Sequence, residues 1–355
     1  MHQPASKPPV SSVDLSKSDI ARTKRLSCQI VKPFFKPAVR PSLPPTFKTI
    51  EDTSVDLTNV SDAVEKSSDL EFVITILRCA LNNDGQNKLP PWSGIHLLVT
   101  QTQAPLMRVG FLPVLPEPVT EYATVRKSLT NFQSVRKQLG QDVIPVFCGE
   151  GVYQFVMDIM LNEPSTFADI FAMLGTFHMT KVLLRCCGKY LTGSGVDDAM
   201  IEGGIFGKKV LVSVLSGGHY VRSLQGMFVI SEAIYLFAWK AFMETRQDDP
   251  ISKSVRKLHK SLLSLNRSEC FLEINMGLES SKDLKNDFEN FVRECEEKSE
   301  LCKYFSVFQE MFTVTKNLVA ADRDGNWNLH VGAVRAAMPI FRSFDALNYL
   351  RYSSY

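Results

Sequence analysis

From "LEFVITILRCALNN" (70–83) onward, apolar residues recur at helical spacing, and ordered structure is expected to begin there. "KLPPWSG" (88–94) reads as a breaker and turn. Two apolar runs follow, "IHLLVTQ" (95–101) and "LMRVGFLPVL" (106–115), both with the look of strands. Residues 117–140 open on a capping signal, place Val125, Leu129, Phe132, Val135 and Leu139 on one helical face, and end at Gly140, a helix stop. "DVIPVFC" (142–148) is a short buried strand, 152–161 a helix, "ADIFAML" (168–174) another strand and 178–191 a helix. A short helix with a glycine exit is expected at 196–207. A turn leading into a long helix is expected over 216–244, and charged helices over 251–319. Strands alternating with helices predict an α/β layer structure with a partly parallel sheet over 70–245. A helical C-terminal region, 246–355, follows it, and 51–69 reads as a linker.

Composition changes this picture mainly at the N-terminus. Residues 1–50 carry nine Lys/Arg against two Asp, together with eight of the 18 prolines, and read as a disordered basic arm. The whole chain has net charge +2, so no global field argues for nucleic acid or membrane. The first residues have no apolar core, which argues against a secretory signal. The longest apolar runs are interrupted by charge, so no membrane span is expected. Eight cysteines without a CxxC pair predict reduced thiols and an intracellular chain, in cytoplasm or nucleus, with neither a disulfide framework nor a zinc site.

Several phrases carry a family resemblance: "PPWSG" (90–94), "VGFLPVLPEPVTEYATV" (109–125), "LGQDVIPVF" (139–147), "LGTFHMTKVLLRCCGKYLTGSGVDDAMIEGGIFG" (174–207), "VLSGGHYVRSLQGM" (214–227) and "ADRDGNWNLHVGAVRAAMPIFRSFDALNYLRY" (321–352). Over roughly 70–355 the chain resembles a large group of uncharacterised, mobile-element-derived proteins that multiply in invertebrate genomes. Members of that group usually continue past "NYLRYSSY", so a fragment or a shortened copy is expected. By analogy, the strand order is similar to the ribonuclease-H-like core of cut-and-paste transposases. The fold implied is a mixed sheet flanked by helices.

Such a core needs three acids to hold two divalent metals about 3.5–4 Å apart. "IHLLVTQ" has no acid. Gly149 stands where the second acid is implied, with Glu150 one residue on. Glu202 is a candidate for the third, and Asp345 for a displaced carboxylate. One acid matched and one nearby argue against two-metal chemistry.

Other constellations are weighed against plainer readings. His178, after a glycine turn, lacks neighbouring cysteines for zinc and reads as a helix-entry residue. Cys148, Glu150 and His178 include the residue types of a thiol hydrolase, without an oxyanion-hole signal. "SGGHYVR" offers an anion site from Ser216, Gly217, Gly218, His219 and Arg222, against an ordinary glycine turn. The amphipathic stretch 251–267 could meet phosphates through Lys253, Arg256, Lys257 and Lys260, against a solvated face. Trp327 and His330 read as loop anchors. The preferred reading is a degenerate, non-catalytic mobile-element-derived protein. It acts by binding DNA or other element proteins and needs no cofactor. The alternatives are a nuclease or transposase, with Mg²⁺, using Glu150, Glu202 and Asp345, and a protein-interaction module.

Overall fold

The computed structural model describes residues 57–81, 110–245 and 282–353. Their elements, in chain order, are α1 (Leu57–Leu81), α2 (Tyr122–Leu139), β1 (Ile144–Cys148), α3 (Glu150–Asn162), β2 (Ile170–Leu174), α4 (Thr176–Leu191), α5 (Val196–Glu202), α6 (Lys208–Leu215), α7 (Tyr220–Thr245), α8 (Lys282–Lys298), α9 (Glu300–Asp324), α10 (Trp327–Ser343) and α11 (Leu347–Ser353). Contacts group them into two units, 110–174 in the first and 57–81 with 175–353 in the second.

The first unit is built on one βαβ motif. β1 and β2 pair in parallel, with Ile144 opposite Ile170 and Cys148 opposite Leu174. Side chains alternate across the strands. Val146 and Ile170 point inward, where they join Val125 and Leu129 of α2, Val156 and Ile159 of α3, and Phe167. The alternate residues Phe147 and Phe171 are 57% and 50% exposed, so α2 and α3 cover the same sheet face. Arg126 of α2 grips Glu163 with two hydrogen bonds of 2.7 and 2.6 Å, which hold that carboxyl below its usual range. α2 stops at Gly140 in the left-handed conformation (φ 66°), as its sequence requires. Leu139, expected inside, is exposed.

The second unit is helical throughout its described residues. α4 packs against α9, α6, α7 and α10. Tyr190 of α4 and Tyr304 of α9 stack at 4.5 Å, and each hydroxyl donates to the other's backbone carbonyl. An aromatic cluster of Phe72, Trp239, Phe242 and Phe288 joins α1, α7 and α8. α1 is buried on all sides from Asp69 to Ile74. The two acids of that stretch meet cations 2.7 Å away, Asp69 with Lys285 and Glu71 with Lys316. Ser67 donates to Asn317 at 2.9 Å. Beside the second ion pair is a cavity of about 20 Å³, lined by Glu71, Thr75, Ser231, Glu232 and Lys316 among others. It has room for about one water molecule.

The expected ribonuclease-H-like mixed sheet is overturned. Among the described residues two strands form, both parallel, and the rest of 70–245 is mostly helix. The strand–helix–strand alternation expected over 142–174 forms, and so, among the described residues, do the helices expected after it; the sheet falls short on its N-terminal side. Residues 110–115, within an expected strand, are not in one. The expected strand 95–101 and the arm 1–50 lie outside the described residues. α1 begins inside the stretch read as a linker. Among the described helices α7 is long and apolar enough to cross a membrane by length and composition, and one third of that window is buried inside the fold.

His330, read as a loop anchor, lies in α10 and is buried, with Trp327 stacked on it at 5.5 Å. Asn326 caps that helix by accepting from the Leu329 N–H at 3.0 Å. Burial pushes the His330 pKa down, with Asp322 pulling weakly the other way. An unfolded histidine titrates near about 6.5. The neutral, folded form therefore contributes fully above that pH. Stability is lost as pH falls from there through the lower folded value, because the unfolded chain takes up a proton first. Between about pH 7.5 and 5.5, the thermal unfolding temperature should drop by a few degrees less in His330→Leu than in the natural chain. An equal drop in both would remove His330 as the cause.

Candidate functional site

The three acids offered for metal chemistry stand on separate elements. Glu150 opens α3 in the first unit, where its carboxylate accepts a hydrogen bond from Gln154 one turn along. Glu202 is the last residue of α5 and is exposed. Asp345 lies between α10 and α11, exposed and at φ 57°. Among the described residues, no three His, Cys, Asp or Glu side chains come together as a metal site would require.

The thiol-hydrolase set divides in the same way, with Cys148 and Glu150 in the first unit and His178 in the second. The Cys148 thiol faces the Met173 carbonyl at 4.0 Å, and burial pushes its pKa up to about 11. An activated nucleophile needs the opposite shift.

His178 occupies the first turn of α4 and is exposed, as a helix-entry residue would be. Its ring meets Phe177 edge-on at 5.3 Å. Phe177 in turn contacts Tyr220, at the start of α7, with centroids 4.7 Å apart.

The turn Ser216–His219 joins α6 to α7. Gly217 takes a left-handed φ of 71°, and a Cβ there would come within 3.0 Å of the Lys181 carbonyl and 3.4 Å of the Arg185 Cβ. The turn is thus pressed onto α4. The Gly217 and Gly218 N–H groups donate to the Val214 and Ser213 carbonyls of α6, at 3.1 and 2.8 Å. They close the end of that helix, so these two donors of the expected anion site are engaged within the fold. The Ser216 hydroxyl likewise donates to Ser213, at 3.1 Å. The exposed side chains of His219 and Arg222 remain from the expected set.

The neighbouring face of α4 supplies what the turn does not. Ten of the sixteen α4 residues are buried, including Cys186 and Cys187, whose thiols burial raises to about 11 and about 12. Exposed are Phe177, His178, Lys181, Arg185 and Lys189. The last three repeat at i, i+4 and i+8, one above another along a single stripe. α4 contains no acid. Among the described residues, none of these three cations forms an ion pair. Like charges four apart destabilise a helix by a few tenths of a kcal/mol per pair, a cost that only Lys189, in the last turn, offsets through the helix dipole. The stripe was visible in the sequence as spacing. Its significance depends on the burial of everything else on the helix.

Lys253, Arg256, Lys257 and Lys260, the cations singled out from the sequence, lie outside the described residues.

Neither a curated protein nor a solved structure matches the chain. One family model does, over residues 91–355, well over half of the 355. The chain therefore belongs to the family of DUF8702, a domain of unknown function.

Proposed function

We propose that this chain is a degenerate mobile-element-derived protein that acts by binding nucleic acid, without catalysing a reaction on it. The observation that carries this reading is the exposed stripe of α4, in which Lys181, Arg185 and Lys189 face water without a carboxylate partner among the described residues. Polyphosphate backbones are the commonest polymer to match a row of like positive charges, and they are bound without sequence readout. Arg222, in the first turn of α7 after the turn pressed onto α4, is a further exposed cation. The ordered phrases shared with mobile-element proteins support the descent. Glu150, Glu202 and Asp345 are surface acids on this reading.

Fluorescence anisotropy with labelled oligonucleotides between about 50 and 200 mM salt tests it on the full chain. Affinity should fall as salt rises. Replacing Lys181, Arg185 and Lys189 together by glutamine should flatten the slope of log K against log salt by about 2 to 3, near one for each phosphate that is no longer neutralised. Glu202→Gln should leave binding unchanged. An unaltered salt slope in the triple variant would mean that this helix does not meet phosphates.

A further inference from the structure

The cationic stripe does not end in more charge. At its N-terminal end stands Phe177, 51% exposed, with its ring against Tyr220 at 4.7 Å and against His178 at 5.3 Å. Tyr220 is half-buried and carries a hydroxyl pKa raised by burial, so it forms the fixed side of this group. Phe177 forms the open side. A phenylalanine on the second residue of a helix, half in water, adds little to the core of the second unit. Its place in line with Lys181, Arg185 and Lys189 gives it a different use.

A duplex presents phosphates to a protein but keeps the faces of its bases stacked inside. An unpaired strand presents both, and proteins that hold one combine a cationic track for the backbone with an aromatic side chain under a base. Resting on the reading that the α4 stripe meets nucleic-acid phosphates, we propose that the partner is a single-stranded nucleic acid. Its phosphates follow Lys181, Arg185 and Lys189, and one base stacks on Phe177. The distance fits a short strand. From Phe177 to Lys189 the helix rises about 18 Å, the axial length of about five stacked nucleotides at roughly 3.4 Å each. Nothing in the stripe reads a base edge, so binding should be tolerant of sequence. DNA and RNA share the backbone and the base faces that this surface uses.

The test uses the full chain and three labelled probes: a 15-nucleotide oligo-dT, a 15-nucleotide oligo-U and a 15-base-pair duplex. Anisotropy is read at several salt concentrations. Both single strands should bind at least about tenfold more tightly than the duplex at equal salt. Phe177→Ala should weaken single-strand binding by about tenfold while leaving the salt slope and the duplex affinity unchanged. The triple glutamine variant should instead weaken every probe and flatten the slope. Phe177→Trp gives a second readout, independent of whether the alanine variant folds. The fluorescence added by this substitution should be quenched by oligo-dT and not by the duplex. Duplex binding as tight as single-strand binding, or an added fluorescence indifferent to oligo-dT, would overturn the inference and leave the phosphate-binding reading standing. The absence of salt-sensitive binding to any probe would overturn both. A preference for oligo-U over oligo-dT, which differ in the sugar and in the thymine methyl, or the reverse, would support the inference.

Discussion

Gly188→Ala is expected to unfold the second unit or to leave it insoluble. The α4 and α6 helices cross so closely at this point that an added Cβ would lie 1.8 Å from the Leu215 carbonyl oxygen and within 2.6 to 2.8 Å of two more of its backbone atoms. Backbone cannot swing aside as a flexible side chain can. The helices would have to part across an interface holding Leu183, Leu184, Cys187 and Val214, all fully or almost fully buried. A separation of about 1 Å or more is needed, and close-packed interiors do not absorb such a shift locally. The cost should exceed about 3 kcal/mol, at the severe end of single substitutions. Gly151→Ala is the control, since a Cβ there meets nothing within 4 Å, and it should be neutral or slightly stabilising. Circular dichroism melts of the two variants would check the contrast. A Gly188→Ala protein that melts near the natural temperature would mean that the crossing is looser than described.

Lys316→Met should cost about 3–5 kcal/mol. The ion pair of Lys316 with Glu71 has both side chains 11% exposed and 2.7 Å apart, and Lys316 also lies over the Phe312 ring at 6.0 Å. Removing the cation leaves a carboxylate in the interior without its main counter-charge, which is far more costly than losing both charges together. The double variant Glu71→Leu/Lys316→Met should therefore recover most of the loss. Urea unfolding of the single and double variants measures this directly. If the double variant is as unstable as the single one, the energy lies in other contacts of these residues.

This pair also shows why part of the fold was hidden in the sequence. Residues 57–69 carry Ser, Asn, Asp and Glu at positions that a solvated linker would favour, yet they begin a buried helix. Three polar residues of α1, Ser67, Asp69 and Glu71, meet partners 216 to 250 positions away, Asn317, Lys285 and Lys316. No local pattern can announce such partners. The βαβ motif was legible because each of its strands is short, apolar and closed by turn residues. The mixed sheet failed on its N-terminal side, where residues 110–115 of the expected strand 106–115 form none; their run is broken by Pro113 and followed by Pro116 and Pro118. The proposed binding surface was half legible. The i, i+4, i+8 spacing of its cations stands in the sequence, whereas the pairing of Phe177 with Tyr220 joins residues far apart in the chain.

The deep seating of α1 bears on where this protein family physically begins. The family match starts at residue 91, yet the helix ending at Leu81 buries residues 69–74 in the second unit and packs against α10, α7 and α8. A chain cut at the family boundary would keep every matched residue and still lack a wall of its own interior, with Lys285 and the buried Lys316 left without the carboxylates of α1. The folding unit is therefore longer than the stretch by which its relatives are recognised, and homologues should supply an equivalent helix from upstream or from another chain.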